Sequence, residues 1–185
     1  MSALTIYPDN QPEFGELYTD FAAIQKQLGN IGVHFEKWTS DCLLAADADQ
    51  ASVLGAYASS IEKLKHQCNF QSVDVMKLNP DHPEKSVFRQ KFLAEHIHDD
   101  FEVRFFVEGR GLFYLHVGDK VYAVLCEQGD LISVPANTSH WFDMGENPKF
   151  TCIRLFTTPD GWVANFTGSE IAKIFPTFDQ YVAGL

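Results

Sequence analysis

Glu95-His96-Ile97-His98-Asp99-Asp100-Phe101-Glu102 is the stretch on which the reading of this chain turns. In an extended segment alternate side chains share a face, so the imidazoles of His96 and His98 project to the same side and two nitrogen donors converge. Glu102 follows four residues after His98, at the head of a predicted strand, and a turn at Asp99-Asp100 brings its carboxylate back towards the same point. The fourth donor is His140, which follows the run Gly129-Asp130-Leu131-Ile132-Ser133-Val134-Pro135-Ala136-Asn137-Thr138-Ser139; a turn there presents it at a strand start. His96, His98, Glu102 and His140 together suit one divalent first-row ion per chain, whether iron, nickel, manganese, cobalt or zinc, and no thiolate is required. An octahedral ion held this way keeps two positions for substrate or water. An HxH pair by itself is more often a polar strand face than a ligand pair. The addition of Glu102 and His140 in a glycine- and proline-marked context is what changes the reading.

Working outward, residues 72–78, 102–108, 111–117, 120–126, 130–134, 140–144 and 150–157 read as short strands divided by turn signals such as Glu108-Gly109-Arg110-Gly111 and Gly118-Asp119-Lys120. That density of hairpins predicts a mainly β fold with flanking helices, a β-barrel or jelly roll with its core at approximately residues 70–160. Before it lies a mixed α/β elaboration. Leu17, Phe21, Ile24 and Leu28 share a face of a helix predicted over 16–29, and Ile31, Val33 and Phe35 alternate as in a half-buried strand. Val53, Tyr57, Ile61 and Leu64 define a second helix over 48–67, and 169–175 reads as one short helix ended by Pro176. No internal repeat or linker interrupts the 185 residues, so one domain over 1–185 is expected.

A net charge of −11 disfavours nucleic acid and anionic membrane surfaces as partners. No apolar run approaches the roughly 20 residues that span a bilayer, and the first residues lack a signal-peptide pattern, so the cytoplasm is expected. Cys42, Cys68, Cys126 and Cys152 are too widely spaced for a disulfide framework and read as reduced, mostly buried residues. A monomer is expected.

HxH, three residues, Glu102, six residues and Gly109 resembles the first cupin motif, and Gly129, five residues, Pro135, then Asn137 and His140 resembles the second. Gln90 and Asn137 stand where glycine is usual, and Met144 where a polar residue often closes the second motif; no ligand is lost. Within the cupins, Glu102-Val103-Arg104-Phe105-Phe106-Val107-Glu108-Gly109, Leu131-Ile132-Ser133-Val134-Pro135, His140-Trp141-Phe142-Asp143-Met144-Gly145 and Gly161-Trp162-Val163-Ala164-Asn165-Phe166-Thr167-Gly168 are similar to the bacterial acireductone dioxygenase family. The resemblance covers most of 92–170 and, more weakly, the first ninety residues. It implies a methionine-salvage enzyme that holds Fe2+ or Ni2+ and cleaves 1,2-dihydroxy-3-keto-5-methylthiopentene with O2. The iron form would give formate and 2-keto-4-methylthiobutyrate; the nickel form would give formate, carbon monoxide and 3-methylthiopropionate. The resemblance also implies an acidic residue at the position where Phe101 stands.

Arg104 lies two residues beyond Glu102, on the same strand face, where its permanent charge would stabilise a substrate dianion; it cannot serve as a general base. Arg154 is a second anion contact or a structural ion-pair member. Phe92, Phe142 and Trp162 are candidate walls around a thioether tail, with core packing as the alternative reading for each. Glu95, beside the first ligand, is a candidate for metal loading or for orienting an imidazole, against the plainer reading of a surface acid. His34, His66, His82 and His116 stand outside the constellation. Another metal-dependent cupin oxygenase or isomerase, and a non-catalytic metal-binding cupin, are the competing readings, because one barrel hosts many reactions.

Overall fold

The computed structural model of the chain describes residues 1–45, 47–68, 70–158 and 162–185. In chain order its elements are β1 (Ala3–Pro8), β2 (Glu16–Tyr18), α1 (Phe21–Gly29), β3 (His34–Lys37), α2 (Gln50–Ala56), α3 (Ala58–Cys68), β4 (Ser72–Leu78) and α4 (Lys85–Leu93). There follow β5 (His96–Ile97), β6 (Glu102–Val117), β7 (Lys120–Glu127), β8 (Asp130–Val134), β9 (Ser139–Asp143), β10 (Phe150–Phe156), β11 (Asn165–Phe166) and α5 (Phe178–Ala183). Gly161, quoted above, lies outside the described residues.

Strand β6 is the axis of the molecule. Its first half pairs with β8 and β10, its second half with β7 and β9, all antiparallel. One sheet therefore runs β3-β8-β6-β10-β4 and the other β11-β5-β9-β6-β7-β1-β2, the jelly-roll arrangement expected from the hairpin density. The two strands predicted at 102–108 and 111–117 are one strand that turns from sheet to sheet at Gly109. That residue has a φ of 76°, and a Cβ there would collide with the Lys149 carbonyl oxygen and lie 2.8 Å from Phe150 Cα. Only glycine fits both demands.

Alternation along β6 distributes side chains among three cores. Phe106, Phe113 and Leu115 enter the core between the sheets with Leu4, Phe35, Val124, Ile132, Phe142 and Cys152. Val103, Phe105 and Val107 face the opposite way and meet Val53, Tyr57, Ile61 and Leu64 of the segment α2–α3. Leu112 and Tyr114 pack under Phe175 and Tyr181 of the C-terminal segment. Both faces of the strand are covered, which explains its nearly unbroken apolar run; each such buried side chain contributes roughly 1.5–3 kcal/mol.

Several local expectations shift. The helix predicted over 16–29 starts only at Phe21, because Asp20 caps it by accepting the Ala23 N–H at 2.9 Å; Leu17 sits on edge strand β2, half exposed. The helix predicted over 48–67 is broken at Tyr57 into α2 and α3. Gly32, with φ 78°, makes Ile31-Gly32 a turn, so β3 begins at His34. The tail forms a 3-10 turn over Ile171–Lys173, then α5, whose start is closed by a Thr177–Gln180 capping box. Cys126 and Cys152 are buried and free, whereas Cys42 is exposed, against the expectation of burial, because it lies in the irregular stretch between β3 and α2. The Cys68 side chain lies outside what is described.

Candidate metal centre

Strand β5 carries His96 beside His140 of β9, with which it pairs directly, while Glu102 opens β6. His140 is delivered by the turn at Pro135–Thr138, where Asn137 takes a φ of 61° and donates its backbone N–H to the His98 carbonyl at 2.8 Å. The usual glycine is replaced by a residue that tolerates this conformation. One candidate donor atom from each of His96, His98, Glu102 and His140 lies within 4.8 Å of the others, and all four residues are buried.

The imidazoles are oriented from behind. His96 Nδ1 donates to Ala94 O at 2.7 Å, His98 Nδ1 to Val163 O at 2.8 Å, and His140 Nδ1 to Thr138 O at 2.7 Å. A carbonyl only accepts, so the proton resides on Nδ1 in each neutral ring and the Nε2 lone pair faces the centre. Glu102 Oε2 lies 2.9 Å from His140 Nε2 and 3.1 Å from His98 Nε2. Three nitrogens and a carboxylate oxygen around one point form a metal-binding group for a divalent ion.

Electrostatics separate His96 from His98. Burial, helped by neighbouring His140, lowers the His96 pKa to about 4. Burial also acts against protonation of His98, but hydrogen bonding and charge from Glu102 overcome it and raise the pKa. Burial alone would raise the Glu102 carboxyl; Arg104, then His140 and His98, hold it well below the ordinary carboxylate range. The carboxylate is therefore charged and ready to bind a cation.

Arg104 is buried beside the ligands, its Nε 2.7 Å from Glu102 Oε1 in an ion pair, while Nη1 has no hydrogen-bond partner among the described residues. The guanidinium carbon stands 4.5 Å from the Phe142 ring centre, and 5.5 and 5.6 Å from those of Phe92 and Trp162. A cavity of about 720 Å³ opens in front of it, lined by His96, His98, Arg104, Arg154, Phe92 and Trp162 among others. Phe142 does not line it: the side chain is buried in the core beneath Arg104 and supports the guanidinium instead of walling the pocket. Arg154 reaches the cavity but is claimed by Asp74 through two bonds of 2.8 and 2.6 Å, because the two residues pair across β10 and β4.

Residues 4–164 match the family model described as the ARD/ARD' family. The chain belongs to that family. It is 56% identical over 182 aligned positions to the acireductone dioxygenase of Methylococcus capsulatus, with 98% of each chain covered. It is 52% identical over 187 positions to that of Aquifex aeolicus, with 100% of each covered. Among solved structures it resembles the acireductone dioxygenase from Bacillus anthracis with a cadmium ion in its active centre. There the TM-score is 0.79 and the identity 29%, over 90% of this chain and 98% of that one.

In this ARD/ARD' family member Glu95 is not a surface acid. It is buried, with Oε1 2.8 Å from His116 Nδ1 and Oε2 accepting from Thr167 Oγ1 at 2.5 Å. Trp162 donates Nε1–H to the Phe101 carbonyl at 2.9 Å and stacks against His98, so the segment from Trp162 onward straps the ligands from outside. Phe101 itself is exposed, and its contribution is that carbonyl. The structure also brings to the cavity residues to which the sequence assigned no role at the site. Phe88, His82 and Met76 line the cavity with Phe92. The spacing of Phe88 and Phe92 at i and i+4 was the available signal for helix α4.

Proposed function

We propose that this chain catalyses the metal-dependent dioxygenation of an acireductone, 1,2-dihydroxy-3-keto-5-methylthiopentene, as a step of methionine salvage. The observation that carries the reading is one buried centre where His96, His98, Glu102 and His140 converge while Arg104 lines the cavity beside them, its buried Nη1 without a hydrogen-bond partner among the described residues. The nitrogen and carboxylate donors fit Fe2+ or Ni2+, one ion per chain, and the bound ion would supply Lewis acidity and bring enediol and O2 together.

The chain's own residues supply the rest. Arg104 offers N–H donors and a permanent charge to an enediolate, and its stacking on Phe142 keeps the guanidinium from swinging away. Phe92 and Trp162 line the cavity beside Arg104 and provide apolar surface for a thioether tail. Glu95 fixes the strap that orients the ligands, through Thr167, and is buried one residue before His96. The iron form yields formate and 2-keto-4-methylthiobutyrate; the nickel form yields formate, carbon monoxide and 3-methylthiopropionate. All four ligands and Arg104 belong to this chain, so the proposed centre is complete within it. No helix among the described residues is long and apolar enough to cross a membrane. A cytoplasmic location is consistent with the proposed pathway.

The test is oxygen uptake by metal-stripped protein reloaded separately with ferrous iron and with nickel, using freshly generated acireductone and resolving the products. Turnover lost in His96→Ala and products that differ with the metal are expected. Absence of turnover at verified metal occupancy and intact fold would overturn the reading.

A further inference from the structure

Helix α4 forms one edge of the cavity, yet none of its residues is fully buried. Its apolar hold is the pair Phe88 and Phe92, stacked with ring centres 6.2 Å apart, with Phe92 edge-on to Phe142 at 6.2 Å. Its strongest polar hold is Arg89. Nε and Nη2 of Arg89 meet Oδ1 and Oδ2 of Asp143 at 2.7 and 3.0 Å, a two-bond fork on a carboxylate that is almost wholly buried. Asp143 also accepts the N–H groups of Gly145 at 2.9 Å and Phe178 at 2.8 Å, and it lies three residues beyond His140 on β9. Further tethers of α4 on this side are looser or exposed: Arg89 lies 3.8 Å from Glu146 and 3.9 Å from Asp179, and Lys85 bonds Asn147 at 3.2 Å on the surface.

We propose that Arg89 is a positioning residue for substrate selection: by clamping α4 to Asp143 it fixes Phe88 and Phe92 at the cavity edge, where they grip the apolar tail of the substrate. This rests on the acireductone reading for the tail, but the clamp itself does not. Arg89 touches neither the ligands nor the cavity interior, so its effect passes through the aromatic pair. Loss of the fork frees a helix with little buried surface, whereas the four donors and Arg104 lie outside that helix.

The experiment compares Arg89→Gln and Arg89→Lys with the wild type, each loaded with metal to the same measured content. Amide exchange over 85–93 should accelerate about ten- to a hundredfold in Arg89→Gln, the effect of losing hydrogen bonds to a charged group, and less in Arg89→Lys; exchange over 102–117 should be unchanged. With acireductones bearing and lacking the thioether tail, KM should rise about tenfold for the tailed compound alone, with kcat nearly constant. Unchanged exchange in α4 would overturn the proposal, as would KM values that rise equally for both compounds. If the wild type turns over neither compound, the acireductone reading fails, and exchange alone decides whether Arg89 clamps α4. Should Arg89→Gln fail to fold, Arg89→Lys carries the same comparison, since it keeps the charge and removes the fork.

Discussion

Replacing Arg104 with methionine removes a buried cation while keeping much of the side-chain volume. In the metal-free protein it leaves the Glu102 carboxylate, which Arg104 Nε meets at 2.7 Å, with His98 and His140 as its remaining partners among the described residues. That should cost about 3 kcal/mol, or roughly 6–12 °C in Tm for a chain of this size, and metal loading should restore most of it. Catalysis should suffer more. The Nη1 donors have no partner among the described residues, so they have hydrogen-bonding capacity to offer an enediolate in the cavity that Arg104 lines. A charge-assisted hydrogen bond is worth about 1.5–3 kcal/mol, and two unit charges at about 4 Å in an effective dielectric of about 20 attract by roughly 4 kcal/mol. These describe the same attraction, so a loss of about 3–4 kcal/mol is expected, or two to three decades in kcat/KM. Stopped-flow absorbance would follow anaerobic binding of the enediolate, then its decay on mixing with O2. Arg104→Lys should recover about one decade, because it restores charge without the planar fork. A fully metallated Arg104→Met enzyme within tenfold of wild-type kcat/KM would refute the reasoning.

Metal binding should expel a proton from His98, whose pKa Glu102 raises above 6.5, but none from His96, which is already neutral near pH 7 with a pKa of about 4. Calorimetric nickel titrations at pH 6.5 in buffers of different ionisation enthalpy should detect release of about half a proton or more per ion, with affinity rising with pH; zero release would contradict the assignment. Gly109→Ala should destabilise by about 2–4 kcal/mol, a fall in Tm of roughly 5–15 °C, because the φ of 76° and the Lys149 carbonyl both oppose a Cβ; a shift under about 2 °C would show that the bend in β6 is not constrained as described. Burial opposes ionisation of Asp143, but Arg89 and the Phe178 and Gly145 N–H groups prevail and lower its pKa from the ordinary 3.8. A lowered carboxylate contributes stability that is fully present above that value and lost as pH falls through the folded value. Asp143→Asn should therefore be less stable than wild type at pH 7 by about 2–4 kcal/mol, with the gap narrowing below about pH 4 in thermal melts. A gap independent of pH would show that the carboxylate charge is not the cause.

The ligands were legible because their geometry is mostly local. Period-two alternation puts His96 and His98 on one side and Glu102 with Arg104 on another strand's inner face, and the Pro135–Asn137 turn announces His140. The jelly roll followed from the regular spacing of strands and turns, because hairpins join neighbours in sequence. What only the tertiary structure decided are contacts between segments far apart in the chain. Val163 orients His98 from 65 residues away, Asp143 receives Arg89 from 54 residues away, and Asp74 takes Arg154 from 80. For Glu95 the sequence left a role beside the ligands and a surface acid both open, because nothing nearby in sequence pairs with it; its partners His116 and Thr167 arrive on β6 and on the strap after β11. Phe142 was open between pocket wall and core for the matching reason. Periodicity names the face that a side chain occupies, whereas only packing decides whether that face meets a substrate, a solvent or the underside of Arg104.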